Sequence, residues 1–424
     1  MSDVCFMRLA LRLARRGYGM TSPNPMVGAV LVKGGKIIGR GWHRRAGGPH
    51  AEIEALRDAQ KQGRSPRGAT LYVTLEPCCT HGLTPPCTAA IIAAGIKRLV
   101  VGASDPNPKH AGMGFRILKR AGIEIALPGS AIVSPASCSN HAQGARRRDA
   151  GDMRALAAKC ECLNEAFNHW IVHRTPFVTV KAAMTLDGKI ATARGESKWI
   201  TSEQARVFGL KLRRGADAVL VGINTILADD PSLTVRCREP GVRCQENRVR
   251  RIVLDSLART PLTARVVSDE HAAMTTIVVG RQAPKVRVAG LARHVNVLVA
   301  PLKMAGSVTT CAPMVGKSHA RRAENCAPCH QIDLPWLLKK LGAENVTSLL
   351  VEGGGEVNAS FLLGGFAQRV AFFYAPKILG GGGARKGVAG DGVNALSEVI
   401  QLREVEWRRL GPDLLLTARL ESKL

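Results

Sequence analysis

The chain has no apolar run of about 18 residues or more, so nothing in it is long enough to cross a bilayer as a helix. Its first residues, MSDVCFMRLALRLARRGYG, interleave apolar side chains with arginines at helical spacing. No small-residue cleavage site follows, so a secretory leader is not expected and a cytoplasmic location is. Aromatic residues are scarce, 4% of 424, while glycines number 44, a balance that suits α/β architecture with many tight turns. The 12 cysteines are scattered, which argues against a disulfide framework and for zinc ligation plus reduced thiols. There is no internal repeat and no single basic tract. The 60 Lys and Arg outnumber the 33 Asp and Glu, giving +27, yet they spread along the chain with local clusters such as ARRRDAGDMR and ARRAEN. That spread argues against a dedicated nucleic-acid arm. Nucleic acid, an anionic membrane surface, phosphorylated small molecules and simple enrichment of surface arginine all stay open as reasons for the charge.

A chain of this length is expected to form two or three domains. Residues 1–127 alternate helix and strand. Asp3–Arg16 reads as an amphipathic helix that Ser2 or Asp3 can cap. MVGAVLVKGGKIIGRGWH reads as a strand pair turning at Gly34–Gly35. Ala51–Gln60 is a helix and ATLYVTLEP a buried strand; PCTAAIIAAG is a helix with proline in its first turn, and IKRLVVGA, GFRILKRAG and IEIAL complete the unit. Residues 128–158 have no clear period and read as a loop or linker. From 159 a second α/β domain runs to 424, with strands at DAVLVG, RIVLD, TTIVVG, VNVLVA, SLLVEGG and RVAFFYAPKILG, interrupted by an irregular insert near 303–331.

The stretch GGPHAEIEAL followed by YVTLEPCCTHGLTPPC carries the clearest chemistry. Catalytic zinc takes three protein ligands and keeps a fourth position for water, whose pKa it lowers to about 7. His50 supplies a nitrogen, and Cys78 and Cys87 supply thiolates. Glu52, two residues after His50 at a helix start, lies close enough to take a proton from water and return it to a leaving amine. Pro77 and Pro85–Pro86 stiffen the turns that aim the sulfurs. The zinc-deaminase signature H-x-E…P-C-x-x-C is met in its first part, but eight residues separate Cys78 from Cys87 where the usual pattern has two. Cys79 and His81 are near enough in sequence to stand in for either sulfur.

These motifs, together with SPNPMVGAVLV, GWHRRAGG, HGLTPPC and ASDPNP, resemble the deaminase half of the bifunctional RibD family of riboflavin biosynthesis. KAAMTLDGKIAT, GESKWITS, NTILADDPSLTVR, RIVLDS, VEGGGEVNASFL and APKILGG are similar to its reductase half, and the likeness spans the chain apart from the two inserts. The resemblance implies a cytidine-deaminase-like α/β/α sandwich followed by a dihydrofolate-reductase-like α/β domain on a largely parallel sheet. It implies zinc-dependent deamination of a diaminohydroxyphosphoribosylaminopyrimidine, then NADPH-dependent reduction of the ribosyl group of 5-amino-6-(5-phosphoribosylamino)uracil to ribityl. It also implies a homo-oligomer acting on a small phosphorylated pyrimidine, with no nucleic-acid or membrane partner.

Site residues follow by motif. Asn24 and His43 match substrate positions of the deaminase. Lys181, Ser197, Arg213, Leu233, Arg236 and Glu352 match substrate positions of the reductase, the arginines being suited to grip a phosphate with paired donors. Lys181 ends the apolar strand FVTV, where a lysine is costly to bury without a partner. Ala183, Trp199, Thr225, Asp229 and Ser256 match cofactor positions. So does the glycine turn opening a helix at Gly354, Gly355, Glu356, Val357, Asn358, Ala359 and Ser360. Asp229, followed by Asp230, is placed to assist proton delivery. Thr185 stands where many relatives have Ser, and the hydroxyl is kept.

CAPCH, Cys326 to His330, matches a haem-attachment pattern, but that chemistry needs export. A second metal site with Cys311 is a further reading of the same insert. Two other functions compete with the two-step enzyme. A nucleic-acid base deaminase would use the positive charge, and a binding protein with a structural zinc would have no use for the proton shuttle Glu52.

Overall fold

The structure is a computed structural model that describes residues 2–81, 85–108, 110–127, 140–235, 249–301 and 332–421, with backbone alone for 140–150. It divides into two compact units, Met1–Arg174 and Thr175–Leu424. Arg236, the CAPCH motif and Cys311 lie outside the described residues, as do most of the two inserts.

The first unit is built on strands β1 (Gly28–Lys33), β2 (Lys36–Trp42), β3 (Thr70–Val73), β4 (Arg98–Val101) and β5 (Glu124–Ala126), ordered β2-β1-β3-β4-β5. β1 is antiparallel to both β2 and β3, and the rest of the sheet is parallel. Gly34 and Gly35, at φ +56° and +73°, make the expected tight turn, since a two-residue hairpin loop of the primed type needs positive φ at both positions. Helices α1 (Asp3–Ala14) and α2 (Ala51–Lys61) pack on this hairpin through glycines. A Cβ on Gly28 would meet the Ala10 carbonyl at 2.1 Å, and one on Gly41 would meet the Ala51 carbonyl at 2.1 Å. Gly28 pairs with Trp42, and Gly41 with Ala29. The two glycines therefore point to opposite faces, because side chains alternate along a strand and opposed residues share a face. α1 and α2 thus cover the two faces, giving the expected sandwich. α3 (Cys87–Ala93) and α4 (Met113–Arg120) complete the parallel crossovers.

Two details differ from expectation. Ser2 occupies the N-cap of α1, but its side chain makes no capping bond, and Asp3 is turned to Arg98 and Tyr72 instead, at 2.9 and 2.6 Å. The described part of the expected linker is helical: α5 spans Asn140–Leu163, and α6 spans Glu165–His173 after it. Met153, Leu156 and Cys160 are buried in the core of the first unit. Asn164 accepts from the Met26 amide at 2.7 Å and donates to its carbonyl at 3.0 Å. This unit therefore runs to Arg174, past the boundary expected at 159.

The second unit has a nine-stranded sheet. Its strands are β6 (Phe177–Thr185), β8 (Ala218–Gly222), β9 (Arg250–Leu254), β10 (Thr275–Gly280), β11 (Asn296–Ala300), β12 (Ser348–Val351), β13 (Arg369–Ala375), β15 (Leu402–Leu410) and β16 (Asp413–Leu420). The order is β11-β10-β9-β8-β12-β6-β13-β16-β15, and a two-stranded pair joins β7 (Lys189–Ala191) to β14 (Arg385–Lys386). From β11 to β13 neighbours are parallel, and β16 and β15 close the sheet as an antiparallel hairpin. β8 and β10 are buried at every residue, as parallel strands covered on both faces must be. Helices α7 (Glu203–Arg214), α8 (Ile223–Asp229), α9 (Arg265–Ser268), α10 (Lys285–Ala292), α11 (Leu334–Ala343) and α12 (Gly355–Leu363) connect the strands. The Thr185 hydroxyl donates to Asp187 at 2.6 Å and accepts from the Lys189 amide at 3.0 Å.

Candidate active sites

In the first unit, three separate segments deliver their ligand atoms to one point. His50 is the residue before α2, Cys78 follows the exit of β3, and Cys87 is the first residue of α3. His50 Nδ1 lies 3.2 Å from Cys87 Sγ and 3.4 Å from Cys78 Sγ. Among the described residues these three alone form a cluster whose ligand atoms all lie within 4.8 Å of one another; Cys79 and His81 are not in it. The separations suit the edges of a tetrahedron with metal–ligand bonds of about 2.0–2.3 Å, so the nitrogen and two sulfurs fit zinc and leave a fourth direction open.

The electrostatics of the cluster point the same way. The Cys87 thiol and His50, against the cost of burial, hold Cys78 down at about 4. Cys87 is pushed up by its bond to Cys78 and by burial, and His50 is raised chiefly by Cys78. By itself the cluster carries one thiolate. A divalent cation at its centre is what lets both sulfurs ionise. Glu52, 3% exposed, is raised to about 7 by burial and then by the Cys78 charge. A carboxyl so placed exchanges a proton readily near neutral pH.

His43 and Asn24 stand beside this centre. The His43 and His50 rings meet edge to face at 5.4 Å. Burial lowers the pKa of His43, so the ring is neutral: Nδ1–H donates to the Pro49 carbonyl at 3.0 Å and Nε2 accepts from the Asn24 amide at 3.3 Å. That pair fixes the Asn24 carboxamide. Glu76 was not singled out from the sequence. It is buried two residues before Cys78, and its Oε2 accepts from the Asp105 and Gly112 amides at 3.2 and 3.1 Å. It ties the loop after β4 to the segment bearing Cys78. A glutamate inside the apolar TLEP stretch was the available signal, since a buried charge needs partners.

The second unit holds a cavity of about 620 Å³, within the usual range for small-molecule sites. Lys181, Ala183, Ser197, Trp199, Arg213, Thr225, Asp229, Leu233, Glu352 and Gly354 line it, all expected positions. Glu352 is its electrostatic centre. Arg213 on α7 donates to both carboxylate oxygens at 3.1 and 2.8 Å, and Lys181 Nζ lies 3.8 Å away. Burial raises the Glu352 carboxyl, but Arg213 and Lys181 outweigh it and hold it at about 2. The third bond of Arg213, to the Thr234 carbonyl at 3.0 Å, leaves two of its five N–H groups for a ligand. Asp229 accepts from Ser197 at 2.8 Å and pairs with Lys198 at 3.7 Å. Trp199, 66% exposed, carries Arg206 over its ring at 4.6 Å.

Other expected residues do not line that cavity: Ser256, Gly355, Glu356, Val357, Asn358, Ala359 and Ser360. Two of the glycines in the turn answer to packing. A Cβ on Gly355 would meet the Lys386 carbonyl at 2.3 Å, and one on Gly353 would meet Val357 at 2.6 Å. Gly354 alone faces open space, as a ligand-facing backbone would. Asn358 is buried and donates to the Gly387 carbonyl at 2.8 Å, and Ser360 donates to the Glu356 carbonyl.

Comparison with known proteins also assigns the chain two regions, one within each unit. Residues 1–103 match the cytidine and deoxycytidylate deaminase zinc-binding region, and residues 176–416 match the RibD C-terminal domain. The riboflavin biosynthesis protein RibD of Aquifex aeolicus is 40% identical over 414 residues, covering 98% of this chain and 97% of that protein. That of Actinobacillus pleuropneumoniae is 37% identical, covering 98% and 95%. Among solved structures, Acinetobacter baumannii RibD superposes with a TM-score of 0.76 at 32% identity, covering 99% of each chain. The Thermotoga maritima diaminohydroxyphosphoribosylaminopyrimidine deaminase/5-amino-6-(5-phosphoribosylamino)uracil reductase gives 0.72 at 33%, covering 99% of this chain and 98% of that one.

Proposed function

Since the chain belongs to the RibD family, bifunctional riboflavin biosynthesis enzymes with a zinc-binding deaminase domain and a reductase domain, we infer how its own residues divide the two reactions. The first unit hydrolyses an exocyclic amine of a diaminohydroxyphosphoribosylaminopyrimidine and releases ammonia. The second reduces the ribosyl group of the resulting uracil to a ribityl chain. The observation that carries this reading is the convergence of His50, Cys78 and Cys87 with the buried carboxyl of Glu52 beside them.

His50, Cys78 and Cys87 would hold zinc, which when bound would supply a water acidic enough to give up a proton near pH 7. Glu52 is placed to hold a proton from water and return it to the departing amine; its burial keeps the proton from bulk water and its neutral and charged forms close in energy. Asn24, locked by neutral His43, orients the pyrimidine. In the second unit NADPH, when bound, would supply the hydride. Lys181 and Arg213 fix Glu352 as an anion that accepts hydroxyl or amine protons of the substrate, and Ser197 and Lys198 hold Asp229 where a proton is delivered to the opened sugar.

The partner is a phosphorylated small molecule, and the excess of cations on the chain favours such an anionic substrate. Among the described residues no helix is long and apolar enough to cross a membrane, and a cytoplasmic enzyme is the reading adopted. β15 is an edge strand exposed almost throughout, with Val405 and Trp407 47% and 59% exposed. It offers backbone groups and apolar surface suited to a second copy of the chain, to be checked by light scattering.

Product mass analysis tests the function. Zinc-loaded chain given the diaminopyrimidine ribotide is expected to lose the amine without NADPH, and to gain two hydrogens only when NADPH is added. Reduction before deamination, or no reaction in either arm, would overturn the assignment.

A further inference from the structure

Arg251, the second residue of β9, is fully buried in the parallel part of the sheet. It lies beside Val219 on β8 and Thr275 on β10, and Val219 packs in an apolar cluster with Leu233, Val266 and Val267. A guanidinium there has left water at high cost, and its Nε–H has no acceptor among the described residues. Apolar residues of similar volume in place of a buried ion pair are often neutral or stabilising. Stability alone therefore does not account for an arginine at this position. What it holds does. Nη1 donates to the Ser232 carbonyl at 3.0 Å and Nη2 to the Val266 carbonyl at 3.2 Å. Both also donate to the Asp269 carboxylate, at 2.6 and 2.8 Å.

The Ser232 carbonyl belongs to the peptide group that enters Leu233. Leu233 is held at φ +54°, a left-handed conformation costly for a residue with a Cβ. It is 2% exposed and lines the reductase cavity together with Ser232 and Thr234. The carbonyl of Thr234 accepts from Arg213 at 3.0 Å, the same guanidinium that clamps Glu352. Asp230, at the start of the segment, accepts from the Arg265 amide of α9 at 2.9 Å. Residues 230–234 are thus fixed from two directions. Arg213 reaches them from α7, and Arg251 reaches them from the core, itself anchored to α9 through Val266 and Asp269. None of these bonds involves Thr225 or Asp229, the positions expected to face the cofactor.

We propose that Arg251 is a positioning residue of the reductase: through the Ser232 carbonyl it holds the Leu233 wall of the cavity in shape, and so sets affinity for the uracil substrate without touching substrate or cofactor. The proposal rests on the reading of the second unit as the reductase. The test measures kcat and KM for 5-amino-6-(5-phosphoribosylamino)uracil, and Kd for NADPH, in the full-length chain and three variants. Arg251→Met/Asp269→Asn removes both charges together, which spares the fold. Its KM is expected to rise about 10- to 100-fold with kcat and NADPH affinity within about threefold, the pattern of lost substrate binding. Arg251→Lys keeps a cation for Asp269 but not the fork that spans it and Ser232, and should show most of that rise. Asp269→Asn leaves Arg251 on the Ser232 carbonyl but strands its charge. It should exchange β9 amides faster than the double variant does, yet keep KM within about threefold of the parent. A merely structural role would not put stability and KM in opposite order. KM within about threefold of the parent in both Arg251 variants, or KM that follows β9 exchange across all three, would overturn the proposal. So would equal loss of kcat, substrate affinity and NADPH affinity. Ammonia release by the first unit controls for the integrity of each chain. A parental chain that does not reduce the uracil would instead overturn the reductase reading itself.

Discussion

Neutralising Glu352 with glutamine tests whether the reductase cavity is organised around a buried charge cluster. The carboxylate faces Arg213 through two bonds of 3.1 and 2.8 Å and Lys181 at 3.8 Å, in a pocket that leaves its side chain 11% exposed. Its pKa is held at about 2 instead of 4.5. At about 1.4 kcal/mol for each tenfold change in proton affinity, that difference is about 3 kcal/mol. Because the folded value is the lower one, the contribution is fully present above 4.5 and disappears as pH falls through about 2. Glu352→Gln at pH 7 removes it and leaves two cations facing a carboxamide, so a loss of about 3–5 kcal/mol is expected. Hydrogen–deuterium exchange of peptides from β6, β12 and α7 in the full-length chain reads this unit by itself. Where exchange passes through unfolding of the unit, about 3 kcal/mol corresponds to roughly 100-fold faster exchange. Arg213→Met and the double variant complete a cycle. The double should cost about 1–3 kcal/mol less than the sum of the singles, because each single strands a charge that the double removes. Exchange of Glu352→Gln within about threefold of the parent, or strict additivity, would refute the reasoning.

Three further outcomes are expected. Glu52→Gln should retain zinc by atomic absorption while ammonia release falls about 10²- to 10⁴-fold, the usual worth of a positioned proton shuttle; turnover within tenfold of the parent would remove Glu52 from the mechanism. Gly41→Ala places a Cβ against the Ala51 carbonyl and pushes back the start of α2, which carries Glu52 and follows His50. It should cost about 1–3 kcal/mol in urea unfolding and weaken zinc binding, and an unchanged midpoint and zinc content would contradict the packing. His169 on α6 is lowered to about 4 by burial and by His173. The unfolded chain therefore takes up a proton that the folded chain refuses, and stability of the first unit should decline as pH falls from about 6.5 towards 4. A His169→Asn chain with the same decline would show that another group is responsible.

Much of the deaminase centre was legible in the chain itself. His50, Glu52, Cys78 and Cys87 sit in short motifs whose local geometry does most of the aiming: a residue before a helix, the second residue inside it, and sulfurs after prolines. The strands were legible because β8 and β10 are buried on both faces, which leaves continuous apolar runs at DAVLVG and TTIVVG. The helix over Asn140–Leu163 was not, since its Ala, Gly and Arg composition carries no clear period; among its described side chains the buried ones are Met153, Leu156 and Cys160.

The sequence by itself pointed to two α/β units and to His50, Cys78, Cys87 and Glu52 as members of one centre, because each depends on neighbours in the chain and on burial patterns of short period. Tertiary structure decided which charges are spent on one another. Glu352 and Arg213 are 139 positions apart, and only the packing of α7 against the end of β12 makes them a bidentate pair, turning an arginine suited to phosphate into the clamp of a carboxylate. It also decided that Gly353 and Gly355 answer to side-chain and backbone packing while Gly354 faces the cavity. Three identical residues in a row carry no record of which neighbour, 4 or 31 positions away, will approach each of them.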